Sequence, residues 1–296
     1  MLDAKFERLR ELLLSYGSCL VAYSGGVDSV FLAKVAHDVL GSRALAAIAD
    51  SPSLPRRELR EALDLGQQLG FPVRVIQTAE FQNDRYLANP TNRCYFCKHA
   101  LFTEIAPLAF AEGLAVIAYG ENASDVGDHR PGAQAAGEFQ VRAPLKEAGL
   151  TKSDIRALSA RLGLPTADKP QLACLSSRIP TGEAVTPEKL RMIEDAEYFL
   201  RDLGFFDVRV RHHEIGHQPQ GIAGHAKNPV QHLARIEVGA KEMSRLLAGE
   251  VSERLSDHCR HLGYTYVTLD LAGYRRGSTN GIASKTTRQP AWSAPV

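Results

Sequence analysis

The sequence predicts an α/β fold in which helices cover both faces of a parallel sheet, followed by a smaller α+β region. Short apolar runs alternate with longer amphipathic segments as far as about residue 165, an alternation typical of βαβ units. The apolar runs contain few polar residues, as strands buried on both faces do. Near residue 180 the pattern changes to a long helix and separated strands. These three observations place a domain boundary there.

The first domain is predicted to span residues 1–180, beginning with a helix over 3–16. Its sheet strands are predicted at 19–23, 44–49, 73–77 and 115–119. Its further helices are predicted at 29–40, 55–69, 98–112 and 152–162. Ligands of parallel sheets bind beyond the carboxyl ends of the strands, so we expect the site at that edge.

The second domain is predicted to span residues 181–275. Thr186 precedes Pro187, a pair typical of a helix start, and this helix should end near Leu203. A second helix is predicted from about 240 to 262, and strands at 207–211, 233–238 and 265–271. Residues 276–296 contain few apolar residues and are predicted to form a disordered tail.

Composition narrows the classes of partner and compartment. The net charge of +1 over 296 residues gives no general attraction to nucleic acid or membrane. No apolar run has the length of a membrane span, and the charged start of the chain predicts no signal peptide. Five cysteines, an odd number, favour free thiols in a reducing compartment. We therefore expect a cytoplasmic protein that binds neither membrane nor nucleic acid.

The hexapeptide Ser-Gly-Gly-Val-Asp-Ser, from Ser24 to Ser29, lies on a predicted strand-to-helix turn. Gly25 and Gly26 allow a tight turn and a close approach to a ligand. The following helix offers unpaired N–H groups and the positive end of its dipole to an anion, and Asp28 is a candidate Mg²⁺ ligand. The turn predicts a phosphate site without the Gly-Lys-Ser/Thr of a Walker loop; an ordinary Gly-rich turn is the alternative.

A second polar segment, residues 120–125, follows the predicted strand at 115–119 and should lie at the same edge of the sheet. Its candidate nucleotide-binding residues are Glu121, Asn122 and Asp125.

Three cysteines form a candidate chemical group. Cys94 and Cys97 make a C-x-x-C pair at the start of a predicted helix, and Cys174 lies just before the domain boundary. C-x-x-C alone fits a zinc site, a redox pair or a cluster site. Three thiolates can hold a four-iron cluster with one iron open, whereas a closed zinc knuckle is the alternative for the pair. Cys19 and Cys259 are predicted to be small buried hydrophobic residues.

Together these motifs resemble the LarE-type ATP-dependent sulfur transferases, a family of PP-loop ATP pyrophosphatases. The segments that carry the resemblance are 24–29, 92–98, 120–125, 130–132, 142–145, 174–178, 209–212 and 234–238. The loop alone is shared by the whole superfamily, and the last three segments make the resemblance specific. It implies an adenine nucleotide alpha hydrolase-like domain over 1–180 and a substrate or oligomerisation domain over 181–275.

The resemblance also implies an activity. ATP and Mg²⁺ would adenylate a carboxylate of a pyridinium biscarboxylic acid mononucleotide, and sulfur would displace AMP to leave a thiocarboxylate in nickel-pincer nucleotide biosynthesis. Members with one cysteine consume it as the sulfur donor. Members with three cysteines resemble cluster-bearing forms that transfer a sulfide. A [4Fe-4S] cluster on Cys94, Cys97 and Cys174 is therefore implied, with zinc as the less favoured occupant, and so is a homo-oligomer.

Arginines supply a candidate site for the substrate phosphate. Arg209 and Arg211 share one face of a predicted strand because they alternate along it. With Arg235 they suit a phosphate, since a guanidinium pairs with it bidentately. For each arginine alone, a solvated strand position is the alternative. Glu237 is expected to order Arg235 or Arg209, or to meet a metal. Two further candidates at this anion site follow Cys174, namely Ser177 and Arg178.

Residues 212–232 are an insertion relative to the family pattern. They include His213-Glu214-Ile215-Gly216-His217, a formal match to the zinc-protease motif H-E-x-x-H. That motif needs a helix to bring both histidines to one face, and Gly216 and Pro219 oppose a helix. We predict a mobile hairpin loop instead.

Other functions share some of these features. A tRNA thiolase can have the same three cysteines, but it should present a basic surface, which the net charge of +1 hardly supports. An ammonia-dependent amide synthetase would not need the cysteines. A non-catalytic nucleotide- or zinc-binding module would bind nucleotide without releasing pyrophosphate.

Overall fold

The computed structural model describes residues 2–125, 131–170, 173–216 and 230–274. The chain forms two compact units. Unit 1 comprises Met1–Ser177 and Ala184–Glu194, and unit 2 comprises Arg178–Glu183 and Asp195–Val296. Most of the predicted hairpin insertion and the whole predicted tail lie outside the described residues.

Unit 1 contains a four-stranded parallel sheet, which confirms the predicted α/β class. Its strands are β1 (Cys19–Tyr23), β2 (Ala44–Asp50), β3 (Val73–Gln77) and β4 (Val116–Tyr119). Their order is β3-β2-β1-β4, and every neighbouring pair is parallel. The strand order therefore reverses between β1 and β4, and such a reversal opens a crevice at the carboxyl ends of the strands.

Helices pack against this sheet. They are α1 (Leu2–Tyr16), α2 (Val27–Leu40), α3 (Arg56–Leu69), α4 (Asp84–Leu87), α5 (Arg93–Ala111), α6 (Pro131–Glu138), α7 (Pro144–Glu147) and α8 (Lys152–Arg161). The core includes Leu9 and Leu13 of α1 and Phe31 of α2, all fully buried. Helix α8 begins with a complete capping box, in which Thr151 and Asp154 satisfy each other's backbone N–H groups. Helix α5 begins five residues before the predicted position, so the C-x-x-C pair lies in its first turns.

Unit 2 is built on a mixed three-stranded sheet. Its strands are β5 (Val208–Ile215), β6 (Gln231–Val238) and β7 (Tyr266–Leu269), with β5 antiparallel and β7 parallel to β6. Its helices α10 (Met243–Leu246) and α11 (Gly249–His261) follow β6, and α9 (Pro187–Asp202) precedes β5. The single helix predicted over 240–262 is wrong, because Ala248 has an extended backbone, with ψ 111°, that interrupts it.

Strand β5 continues past its predicted end at residue 211 and includes His213 and Glu214. Successive residues of a strand point to opposite faces, so the helix that H-E-x-x-H requires is not present there. The second histidine of that motif, His217, lies outside the described residues. Within the part of the chain that the structure describes, no helix combines the length and apolar character needed to cross a bilayer.

Candidate active site

The turn from β1 to α2 is closed by its own serines. The Ser24 backbone N–H donates to Ser29 Oγ at 3.1 Å, and the two hydroxyl oxygens lie 3.1 Å apart. Ser29 Oγ also donates to the Gly26 carbonyl at 3.1 Å. The turn thus has a defined shape, and α2 starts at Val27 with no side chain capping its N–H groups. An anion is the partner that such N–H groups suit.

Two glycines leave no room for a side chain at this turn. Gly25 has φ +70°, and a Cβ there would lie 2.7 Å from the Cβ of Ala62. Gly120, directly after β4, comes so close that a Cβ would lie 3.1 Å from the Cβ of Asp28. The segment after β4 therefore packs directly on the 24–29 turn, as the sequence predicted from the shared sheet edge.

Asp28 has one paired and one unpaired carboxylate oxygen. Its Oδ2 accepts from Lys152 Nζ at 2.6 Å. Its Oδ1 is buried and has no hydrogen-bond partner among the described residues. Burial raises the pKa of Asp28, and the hydrogen bond and charge of Lys152 oppose that rise. A carboxylate with an unpaired oxygen beside a phosphate-type loop is suited to a Mg²⁺ ion.

The segment after β4 is tied down by its own polar residues. Buried Glu121 accepts from Lys146 Nζ at 2.9 Å and from the Tyr119 hydroxyl. The Asn122 N–H donates to the Asp125 carboxylate at 3.1 Å. These three predicted nucleotide-binding side chains shape the segment, and their contact with a nucleotide stays a prediction.

Lys152 is a residue that sequence reasoning missed. Its ammonium contacts Asp28, and its backbone N–H donates to Ser124 Oγ at 3.0 Å. It therefore links the start of α8 to both segments of the candidate phosphate site. In the sequence, Lys152 is recognisable only as the first residue of a capped helix. That position does not indicate a contact with Asp28, 124 residues earlier.

The three candidate cysteines come from two parts of unit 1. Cys94 and Cys97 lie in α5, and Cys174 directly precedes a 3-10 turn over Leu175–Arg178. Cys94 is exposed, whereas Cys97 and Cys174 are half-buried. Burial raises the pKa of Cys94 and Cys97, and for both the next cause is the charge of Cys174. The charge of Cys174 therefore acts on both thiols of the C-x-x-C pair.

The other two cysteines are isolated. Cys19 and Cys259 are fully buried, and burial raises the pKa of each thiol to about 12. Both are the small buried hydrophobic residues that the sequence predicted.

The thiols of Cys94, Cys97 and Cys174 are the candidate ligands of a metal centre. Within 2–125, 131–170, 173–216 and 230–274, no three or more His, Cys, Asp or Glu side chains are arranged around a single metal ion. The set still offers three thiols, the donor type that iron–sulfur clusters use. The donor chemistry of the three thiols is that of an iron–sulfur site, and the binding of a cluster there stays a prediction.

Arg93 and Ser177 hold the backbone around Cys174. Arg93 Nη1 donates to the Ser176 carbonyl at 2.9 Å, and its Nη2 lies 3.9 Å from Cys174 Sγ. Ser177 Oγ donates to the Cys174 carbonyl at 2.7 Å. Arg93 was not singled out from the sequence, although it directly precedes Cys94. The predicted role of Ser177 toward a substrate stays a prediction.

In unit 2, Arg178 is held by a buried ion pair. Its guanidinium donates to both carboxylate oxygens of Glu197, each at 2.9 Å, and both side chains are buried. Glu197 also accepts the Val210 N–H at 3.0 Å. The pairing is bidentate, so it fixes the plane of the guanidinium as well as its position.

Arg209 is buried yet forms no ion pair with any carboxylate among the described residues. It donates to the Val208 carbonyl at 2.6 Å and lies over the ring of Tyr274, 4.9 Å from its centre. Burial and the nearby charge of Arg178 lower the pKa of Arg209. A solvated strand position, the alternative for this residue, is wrong.

Arg211 and Arg235 share one carboxylate. Glu237 accepts from Arg211 at 2.9 Å, and its other oxygen lies 3.4 Å from Arg235, which also pairs with Asp270. His213, on the same strand face as Arg211, accepts from Arg235 Nε at 3.2 Å. Glu237 therefore orders Arg235 as expected, but its other partner is Arg211 rather than Arg209.

The chain is similar to known proteins over most of its length. No protein-family model matches the chain. It is 43% identical over 285 residues to an uncharacterized protein of Synechocystis sp., covering 96% of this chain and all of that one. It is 33% identical over 267 residues to the pyridinium-3,5-bisthiocarboxylic acid mononucleotide synthase of Lactiplantibacillus plantarum, covering 90% of each. It is 29% identical over 272 residues to the tRNA-specific 2-thiouridylase MnmA of Azorhizobium caulinodans, covering 76% and 67%.

The parallel sheet, its 24–29 turn and the thiouridylase relationship define the class, a PP-loop ATP pyrophosphatase fold. The relationship to the Lactiplantibacillus plantarum synthase goes further, because it covers nine tenths of both chains. The chain belongs to the LarE-type family of sulfur-transferring enzymes.

Proposed function

We propose that this enzyme uses ATP to activate the carboxylates of a pyridinium biscarboxylic acid mononucleotide and converts them to thiocarboxylates for a nickel-pincer nucleotide. One observation carries the proposal. Unit 1 combines a phosphate-type turn at the sheet edge with three thiols, of which Cys174 acts by its charge on the other two. The name of the Lactiplantibacillus plantarum relative, a pyridinium-3,5-bisthiocarboxylic acid mononucleotide synthase, supports the proposed product.

Activation is assigned to the 24–29 turn and Asp28. The N–H groups at the start of α2 would bind ATP phosphates, and the unpaired oxygen of Asp28 would bind Mg²⁺. A substrate carboxylate oxygen attacks the α-phosphorus. The bond from that phosphorus to the bridging oxygen breaks, and pyrophosphate leaves with the electron pair. This step is needed because a free carboxylate has a poor leaving group.

Sulfur insertion is assigned to the three cysteines. A sulfur nucleophile attacks the acyl carbon, the bond to the AMP oxygen breaks, and AMP leaves as the thiocarboxylate forms. Cys94, Cys97 and Cys174 would hold a [4Fe-4S] cluster, which when bound supplies the sulfide. The chain's own part is to gather the three thiols at the start of α5 and before the 3-10 turn. A second round of adenylation and sulfur transfer would convert the other carboxylate to a thiocarboxylate.

Recognition of the substrate phosphate is assigned to unit 2. Arg209 carries this assignment, because its guanidinium is buried and forms no salt bridge among the described residues, although the charge of Glu197 also acts on it. Arg211 and Arg235 add positive charge on the same strand face, although Glu237 partly balances it. Arg178, also in unit 2, completes the proposed anion-binding residues there, and Ser177 of unit 1 stays a separate prediction. A homo-oligomer in the cytoplasm is also proposed, and light scattering on the purified protein tests the oligomer.

The test is an anaerobic preparation assayed for pyrophosphate with the pyridinium biscarboxylate mononucleotide, and separately with tRNA. We expect release with the mononucleotide alone, with thiocarboxylate detected by mass spectrometry. Release with tRNA alone would instead identify a tRNA thiolase. Iron and acid-labile sulfide should be present, and zinc in their place would refute the cluster.

Matched cysteine variants distinguish the proposed role of Cys174 from that of a buried structural thiol. Cys174→Ala should abolish thiocarboxylate formation, whereas Cys259→Ala removes a buried thiol of unit 2 and should leave it intact. Full thiolation by Cys174→Ala would refute the role assigned to that residue.

A further inference from the structure

We propose that Arg93 is the positioning residue that holds Cys174 beside Cys94 and Cys97, and that it does so in the protein without ligands. The inference rests on the proposed function only in treating the three cysteines as one group. Its experiment reads the arrangement of the thiols directly.

The contacts of Arg93 join two distant segments. Its Nη1 donates to the Ser176 carbonyl at 2.9 Å, and its Nη2 lies 3.9 Å from Cys174 Sγ, although 81 residues separate Arg93 from Cys174. Arg93 is itself the first residue of α5, the helix that carries Cys94 and Cys97. One guanidinium therefore connects the two parts of the chain that supply the three thiols.

Asn89 orients this guanidinium. Its side-chain oxygen accepts from Arg93 Nη1, and the residue is fully buried with φ +52°. Residues other than glycine rarely adopt that left-handed conformation, and asparagine tolerates it better than most. Such a backbone persists only where surrounding contacts fix it. The strained turn therefore presents an oxygen at a defined position for Arg93.

A second contact secures the same segment. The hydroxyl groups of Tyr86 and Ser176 lie 2.8 Å apart, and both side chains are buried. Tyr86 holds the side chain of Ser176, while Arg93 holds its carbonyl. Arg93 therefore contacts both the Ser176 backbone and the Cys174 thiol, whereas the Tyr86 hydroxyl is hydrogen-bonded to the Ser176 side chain.

The guanidinium has the right chemistry for this task. It offers five N–H donors in a rigid planar fork, so it can reach a carbonyl, an amide oxygen and a sulfur at once. The ammonium of Lys98, four residues after Cys94, lies instead over the Tyr119 ring, 4.3 Å from the ring centre.

Dibromobimane tests the inference, because it becomes fluorescent when it bridges two nearby thiols. Metal-free wild-type protein is treated without oxygen, and peptide mapping identifies the bridged pair. We expect Cys174 to be bridged to Cys94 or Cys97. Arg93→Gln should slow this reaction about tenfold, since hydrogen bonds from a charged group are lost. Arg85→Gln, an exposed arginine of the neighbouring α4, is the control and should react as wild type does.

Two more variants keep the result decisive if Arg93→Gln folds poorly. Arg93→Lys retains the charge without the fork, so its bridging should stay slow. Asn89→Gly keeps the left-handed backbone and removes the oxygen, so bridging should slow by a smaller factor. Wild-type bridging rates in Arg93→Gln or Arg93→Lys would overturn the inference.

A second readout is the iron and sulfide bound per chain after anaerobic reconstitution, which should fall in Arg93→Gln and not in Arg85→Gln. Equal loading in the two variants would also overturn the inference. Because the bridging assay needs neither ATP nor substrate, its result stands even if the pyridinium mononucleotide proves not to be the substrate.

Discussion

Replacing Gly25 by alanine adds a methyl group where the 24–29 turn has no space for one. The backbone there has φ +70°, a conformation that costs an L-residue roughly 1–2 kcal/mol. The new Cβ would also lie 2.7 Å from the Cβ of Ala62, a fully buried residue of α3. Overpacking of this kind costs about 1–3 kcal/mol. We expect Gly25→Ala to lower the free energy of unfolding by the sum, roughly 2–5 kcal/mol.

Gly149→Ala is a matched control. Gly149 has the same φ of +70°, but no atom lies within 4 Å of a Cβ built there. It should lose only the conformational part, roughly 1–2 kcal/mol. The difference between the two variants therefore isolates the contact with Ala62. Adding Ala62→Gly to Gly25→Ala should recover much of that difference.

Urea unfolding at neutral pH measures both free energies, and isothermal titration with ATP and Mg²⁺ measures nucleotide binding. Gly25→Ala should also weaken ATP binding, because the turn must shift to relieve the contact, whereas Gly149→Ala should not. Equal losses of stability in the two variants would refute the steric reasoning. Unchanged ATP affinity in a folded Gly25→Ala protein would refute the placement of the phosphate site.

Three further outcomes follow from pairs of opposite charges. Lys152→Met leaves Asp28 unpaired and should destabilise the protein by about 1–3 kcal/mol, a loss that added Mg²⁺ reduces in thermal melts. Lys5 of α1 donates a hydrogen bond to Asp154 and lowers the pKa of that carboxyl to about 2. The Asp154 carboxylate therefore stabilises the fold above its unfolded pKa, and this stabilisation is lost as the pH falls through the folded pKa. Asp154→Asn should therefore cost about 1 kcal/mol at pH 7, and urea unfolding should show this cost shrinking as the pH falls from the unfolded pKa of 3.8 through the folded pKa of about 2. Glu197→Gln removes the carboxylate charge that pairs with the buried guanidinium of Arg178 and should cost about 3–5 kcal/mol. Exposed Glu188→Gln in the same helix should cost under about 1 kcal/mol.

Local patterns predicted the sheet well. The predicted strands at 19–23 and 73–77 coincide with β1 and β3. Strand β1 is a continuous apolar run because it is buried on both faces, whereas β3 is a more exposed edge strand that includes Arg74 and Gln77. The 24–29 turn and the pair in α5 were also found, since each is a short segment with its own signature. The isolation of Cys19 followed from its position inside such an apolar run.

Contacts across long sequence separations were not predictable in this way. Lys152 reaches Asp28 across 124 residues, and Arg93 reaches Cys174 across 81. Neither side chain belongs to a local pattern, because each acts through a partner that only the folded chain brings near. The extension of β5 was missed for a related reason. Pairing with β6 stabilises His213 and Glu214 in a strand that their own polarity does not favour.

The closed turn between Ser24 and Ser29 has a thermodynamic consequence. Its hydroxyl and backbone contacts are already made without a ligand, so little conformational entropy remains to be lost there when phosphate arrives. A preorganised loop loses little conformational entropy when it binds a ligand. In a disordered loop, the entropy lost on ordering offsets part of the favourable interaction energy. In the proposed function the turn is therefore a rigid receptor. Most of the conformational entropy lost on binding would then be that of the nucleotide.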